Sequence, residues 1–166
     1  MTNDNLCRAG GCTCGEVRYE VRSDPLIVHA CHCTLCQRQT GGPHVLNALF
    51  EAERIVVTKG TVTTTVVPTP SGAGQKIARC PTCFVAVWSN YLIYRGGLGE
   101  LVRFLRVSTL DDPTSMSPDV HICTSSKAPW YVIPPEQYAV EEFYVPEETL
   151  SKNAQDRLRV LERGQS

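Results

Sequence analysis

Seven of the nine cysteines in this 166-residue chain stand in three tight groups: Cys12-Thr13-Cys14, Cys31-His32-Cys33-Thr34-Leu35-Cys36 and Cys80-Pro81-Thr82-Cys83. Closely spaced thiolates grip a single soft metal ion. Zinc takes four protein ligands in a closed structural site, and three where it keeps a position open for chemistry. The first and third groups sum to four, and the middle group supplies three unaided. The spacing therefore predicts two zinc ions per chain. Cys12, Cys14, Cys80 and Cys83 would form the closed site, and Cys31, Cys33 and Cys36 an open, catalytic one. Joining the outer groups closes a long loop, but the entropic cost of closure grows only logarithmically with length. Structural zinc binding, on the order of 10 kcal/mol, outweighs it. A middle group completed by His29, His32 or His44 is the open alternative, against their ordinary use as hydrogen-bonding side chains.

Disulfides are the competing use of so many thiols. Met1 to Asn5 is polar, with neither a basic start nor an apolar core, so no signal peptide is expected. No apolar run reaches membrane-spanning length. A cytoplasmic location follows as an expectation, and clustered thiols there are ligands or catalytic groups more often than bridges. All-thiolate sites suit zinc or iron–sulfur clusters, and the usual ferredoxin spacings are absent. Cys7 and Cys123 remain as free thiols, Cys123 reading as a small buried hydrophobe.

Composition excludes other classes. A net charge of −1 without a lysine or arginine tract gives no footprint for nucleic acid or for a membrane surface. Hydrophobic and charged contents of 42% and 20% describe a globular chain, and its length suits a single zinc-binding domain over residues 1–166. A zinc deaminase would need H-x-E with P-C-x-x-C, but Arg79 precedes Cys80 and no H-x-E occurs. Oligomeric state is not set by the sequence.

The elements that must position these thiols are mostly β. Glu16 to Arg22 alternates polar and apolar residues as a half-buried strand does, just after the glycine-flanked first group. Leu26 to Ala30 leads into the middle group. Ile55–Thr58 and Thr61–Val67 are β-branched runs around Gly60, and Pro68 to Gly74 is a loop. Lys76–Arg79 and Phe84–Trp88 flank the third group as a strand–knuckle–strand unit. Val120–Cys123 and Glu142–Val145 are further short strands, with a surface loop from Thr109 to Pro118. Leu150, Ala154, Leu158 and Leu161 share one face of an expected C-terminal helix ending at Arg163, before Gly164.

These motifs together resemble the glutathione-dependent formaldehyde-activating enzyme and centromere protein V family. The resemblance is carried by Gly10 to Tyr19, by Cys31 to Arg38, by Cys80-Pro81-Thr82-Cys83, and by His121-Ile122 ahead of Lys127-Ala128-Pro129-Trp130. It spans a core of about residues 10–135, followed by a C-terminal strand and helix over about 142–163. It implies a mainly β fold of several small coiled sheets (a β-tent, zinc-ribbon-like). A structural zinc on Cys12, Cys14, Cys80 and Cys83 and a labile catalytic zinc on Cys31, Cys33 and Cys36 agree with the spacing. The implied activity is a zinc-dependent carbon–sulfur lyase joining glutathione or a related thiol to a small aldehyde. The alternative is a non-catalytic zinc module that binds a protein partner.

Substrate contacts are expected from Gln37 beside the last thiol, from Arg38 and Lys127 as holders of glutathione carboxylates, and from Trp130. Lys76 and Arg79 are further candidate cations, and Trp88 reads as packing. One departure stands out: the family continues its third motif with glycine, and this chain has Phe84. A left-handed backbone at that position would be strained in phenylalanine.

Overall fold

The computed structural model describes residues 7–164, so the expectation resting on Met1–Asn5 lies outside the described residues. The strands are β1 (Arg8–Gly11), β2 (Arg18–Val21), β3 (Ile27–Cys31), β4 (Val45–Glu51), β5 (Ile55–Lys59), β6 (Thr63–Val67), β7 (Gln75–Arg79), β8 (Ala86–Tyr91), β9 (Val102–Arg106) and β10 (Val120–Ile122). The helices are α1 (Thr34–Thr40), the single turn α2 (Pro146–Thr149) and α3 (Lys152–Arg163). The expectation of a mainly β chain closed by a C-terminal helix is met. Its strands gather into two sheets: a three-stranded one in the order β1-β2-β5, and a seven-stranded one in the order β10-β3-β4-β9-β8-β7-β6.

The two β-branched runs around Gly60 part company. β5 pairs with β2 in the small sheet, while β6 pairs with β7 in the large one. The segment thus carries the chain between sheets. Side chains alternate across a pleated strand, so each face of the large sheet has its own neighbour. One face (Val28, Ala48, Phe50, Trp88 and Leu105) packs against Tyr19, Val21 and Ile55 of the small sheet. The opposite face carries Ile27, Cys31, Val45, Leu49, Val102 and Phe104, and Ala154 and Leu158 of α3 cover part of it. Residues in step with this second set, His29, Asn47 and Arg106, are all buried, and they line up beside Cys31.

α3 is held by more than its apolar face. Ser151 caps it by accepting from the Ala154 amide at 3.2 Å. Arg157 also reaches Glu51 at the end of β4 with two hydrogen bonds, one of 2.7 Å, and both groups are largely shielded from solvent.

The strand expected over Glu142–Val145 does not form. β10 is only three residues long, and its outer neighbour is a single parallel bridge, His121 to Ala139. Cys123 then turns the chain with φ of 55°, and its amide donates to the Glu142 carbonyl at 2.7 Å, so 142–145 runs as an irregular cover. The Thr109–Pro118 segment is the expected loop, with a 3-10 turn at Pro113–Ser115 and residues 111–115 exposed, but buried Leu110 and Met116 pin it to the core. Among the described residues no helix is long and apolar enough to cross a membrane.

Candidate metal centres

The first and third cysteine groups sit in two turns, one from each sheet. Cys12 and Cys14 lie between β1 and β2, and Cys80 and Cys83 between β7 and β8. The four sulfurs all lie within 4.8 Å of one another, with Cys12 to Cys14 at 3.5 Å and Cys14 to Cys80 at 3.6 Å. A disulfide would need about 2.05 Å. Four sulfurs around zinc at about 2.3 Å would stand roughly 3.8 Å apart, which is close to what is found. All nine cysteines are free thiols.

Both turns are built alike. Each first cysteine donates its amide to a residue just past the second, Cys12 to the Val17 carbonyl and Cys80 to the Val85 carbonyl, both at 3.0 Å. Amides also point at sulfur: Val17 to Cys12 at 3.3 Å, and Thr82 to Cys80 at 3.4 Å. Burial pushes the Cys12 thiol up, but the Val17 amide and the neighbouring thiols overcome it and hold its pKa down to about 6. The first turn closes because Gly11 lets the backbone come within reach of Val17. A Cβ there would stand 2.3 Å from the Val17 carbonyl oxygen.

Each turn ends on a left-handed residue, Gly15 with φ of 74° and Phe84 with φ of 60°. Phe84 thus adopts the glycine-like conformation, and its amide donates to the Cys80 carbonyl at 3.1 Å. Such a conformation costs a side-chain-bearing residue about 1–2 kcal/mol. Phe84 is 66% exposed and repays little of this by packing. Glycine would relieve the strain but gain about 0.5–1 kcal/mol of unfolded-state freedom. Phe84→Gly is therefore expected to keep full metal content and to match or exceed the parent in denaturant midpoint, whereas Phe84→Val lowers it. Equal losses in both variants would show that the side chain, not the backbone, matters.

The middle group is assembled from a strand end and a helix start. Cys31 closes β3, Cys33 is the N-cap of α1, and Cys36 lies in its first turn. Cys33 Sγ accepts from the Cys36 amide at 3.4 Å. These three sulfurs also lie within 4.8 Å of one another. Hydrogen bonds from Cys123 first, then from Cys31 and Cys36, hold the Cys33 thiol well below its ordinary range. Cys123, expected to be no more than a small hydrophobe, is half-buried against Cys31 and Cys33 but stands outside the compact triad.

His29, His32 and His44 do not join that triad. His32 Nε2 lies 2.9 Å from His121 Nδ1, and His121 Nε2 lies 2.6 Å from the Gln137 amide oxygen. His29 lies 3.3 Å from Asn47, and burial first, then the Arg106 cation, lowers its pKa to about 3. It is neutral at pH 7.

The residue missed by sequence reasoning is Arg106. It is 4% exposed, yet among the described residues no carboxylate pairs with it. Its two terminal nitrogens donate to neutral oxygens, Asn47 Oδ1 at 2.6 Å and Gln39 Oε1 at 3.1 Å, and its Nε has no partner. Burial lowers its pKa, and the Cys36 and Cys31 sulfurs oppose that. A buried cation with no anion is costly. A divalent ion with three thiolates carries −1, a charge that Arg106 would balance if the triad held one. The signal lay in β9, where Val102, Phe104 and Arg106 alternate on one face and put a cation where an apolar residue is expected. At separations of several ångströms and a protein-like dielectric, the attraction is about 2–4 kcal/mol. Arg106→Met is expected to weaken metal binding at the triad at least tenfold in a chelator competition, with the four-cysteine site as internal control. Undiminished affinity would remove this role.

A cavity of about 330 Å³ opens on the triad, lined by Cys31, Cys33, Cys36 and Cys123 together with His29, Asn47, Gln75 and apolar side chains. The four expected substrate contacts lie elsewhere. Gln37 donates to the carbonyls of His32 at 2.6 Å and Ser126 at 2.9 Å. Lys127 donates to those of Ala128 and Tyr131. Arg38 is exposed on α1, and Trp130 is 71% exposed. Trp88 packs in the core edge-on to Tyr19, as expected.

The family model for the glutathione-dependent formaldehyde-activating enzyme matches residues 7–126. A Halomonas elongata protein that bears this enzyme name as a provisional label is 28% identical over 129 residues, covering 75% of this chain and 79% of its own. Among solved structures, a Rhodobacter sphaeroides protein aligns with a TM-score of 0.47 and 21% identity, over 64% of this chain and 93% of its own.

Proposed function

Because the chain belongs to the glutathione-dependent formaldehyde-activating enzyme family, we propose that it is a zinc-dependent carbon–sulfur lyase acting on a thiol, glutathione or a relative, and a small aldehyde. The observation that carries this reading is the contrast between its two cysteine groups. One has four sulfurs and joins two sheets. The other has three, beside a cavity. Zinc held by three thiolates supplies a Lewis acid with a vacant position suited to sulfur, where a thiol loses its proton more readily.

The protein's own groups do the rest. Cys31, Cys33 and Cys36 would hold the ion beside the cavity, and the buried Arg106 cation would offset their charge. Neutral His29, with Asn47 and Gln75, offers hydrogen bonds to an aldehyde oxygen without adding charge. In the forward direction a sulfur–carbon bond forms between thiol and aldehyde, and the carbonyl oxygen gains the proton the thiol gives up. The reverse breaks that carbon–sulfur bond. Zinc-loaded protein is expected to accelerate adduct formation between glutathione or another thiol and formaldehyde, followed by NMR of the hydroxymethyl signal. If loaded and metal-stripped protein left the spontaneous rate equally unchanged for every thiol tried, the proposal would fail.

The second reading, a non-catalytic zinc module docking a protein partner, draws on the exposed Trp130 and Val132, 71% and 79% accessible. A stable pull-down partner lost on Trp130→Ala, together with absent turnover, would favour it.

A further inference from the structure

The cavity beside Cys31, Cys33 and Cys36 is built for an uncharged guest. Resting on the reading of that triad as an open thiolate–metal centre, we infer that its preferred thiol carries a neutral, apolar arm rather than the two carboxylates of glutathione. The walls are Leu35, Pro70, Tyr91, Phe104, Ile122 and Phe143. Besides one carboxylate, the hydrogen-bonding groups belong to uncharged side chains such as Asn47, Gln75, Thr34 and Thr69. Among the described residues lining it there is one formal charge outside the cysteines, and it is the carboxylate of Glu142. No lysine or arginine lines it.

A carboxylate entering this space would lose water without gaining a cationic donor, and would meet a like charge. An aromatic or aliphatic arm would instead exchange water for contact with the walls. The volume of about 330 Å³ is at the small end for ligand sites and matches a compact arm better than a tripeptide.

The cations expected to serve glutathione are engaged elsewhere or turned to solvent. Lys76 pairs with Glu100 at 3.0 Å, Arg79 donates to the Phe84 carbonyl at 3.1 Å, and Lys127 donates to two backbone carbonyls. Arg38 is exposed and does not line the cavity. Arg106 is the nearest buried cation, but it too is absent from the lining. Asn47 and Gln39 hold its terminal nitrogens, and the triad occupies its charge.

The test uses full-length protein loaded with cobalt(II), whose sulfur-to-metal charge-transfer band reports an added thiolate without any turnover. Benzyl mercaptan and glutathione are titrated separately. Half-saturation by benzyl mercaptan is expected at a concentration at least tenfold below that of glutathione. Glu142→Lys, at an exposed position, is expected to strengthen glutathione at least fivefold relative to benzyl mercaptan. Glutathione binding as tightly as benzyl mercaptan in the parent protein would overturn the inference and leave the open metal centre standing. If cobalt fills both sites and neither thiol changes the band, the open-centre reading falls and the inference falls with it.

Discussion

Cys80→Ser is expected to leave the chain without a stable fold. Cys80 is fully buried, and its sulfur sits where the β7–β8 turn meets the β1–β2 turn. With Cys12, Cys14 and Cys83 it could hold one metal ion, and that ion would bind the two turns together alongside the exposed hydrogen bond from Thr82 to Glu16. Structural zinc binding is worth on the order of 10 kcal/mol or more. Domains of this size are stable by only about 5–15 kcal/mol. The cost of losing a ligand therefore approaches the whole stability. Far-ultraviolet circular dichroism and a thermal scan would show a weakened, broad transition or none, and the strong chelator that unfolds the parent would have little further effect on the variant. A sharp transition within a few degrees of the parent would mean that the core between the sheets suffices and that this site is dispensable for folding.

Cys33→Ser should do the opposite: the fold stays and the activity goes. Cys33 is the N-cap of α1, and its sulfur accepts from the Cys36 amide. Serine is among the best N-cap residues, so the helix start is preserved. What is lost is a soft, readily ionised ligand, exchanged for a hydroxyl that ionises far less easily and binds zinc poorly. Removal of groups merely supporting a metal ligand costs about 10–100-fold, so loss of a ligand itself is expected to lower the rate of adduct formation by about 100-fold or more. Thermal stability should stay near that of the parent. A variant that matched the parent rate would place the chemistry elsewhere.

Much of the site was legible because thiolate ligation is local in sequence. Two or three ligands within six residues leave few other readings, and arithmetic over the groups gave the partition. The strands around the third group and the apolar face of α3 were also readable, since periods of two and 3.6 both survive where one face is wet. The centre of the large sheet was not. β4 is buried along nearly its whole length, so no alternation marks it, and β9 carries two arginines that disguise it as a polar stretch. Glu142–Val145 has strand-like residues, but β10 is too short and turns too soon to pair with it. Arg106 was invisible as a functional residue because the thiols it faces are assembled from β3 and α1, remote in sequence. Cys123 was underestimated for a related reason: the parallel pairing of β10 with β3 brings it beside Cys31, and nothing in its own neighbourhood announces that. The strain at Phe84 could be anticipated from the family's glycine, and the backbone bears it out.

The measurement that bears most directly on the account is the metal content of the full chain after saturation with zinc and removal of the excess, taken with a count of free thiols. Two zinc ions per chain are expected, falling to one in Cys33→Ser. With the metal removed under denaturing, reducing-agent-free conditions, all nine cysteines should react as thiols. A chain that holds no zinc and titrates fewer thiols would contradict the account, because its clustered cysteines would then be bridges rather than ligands.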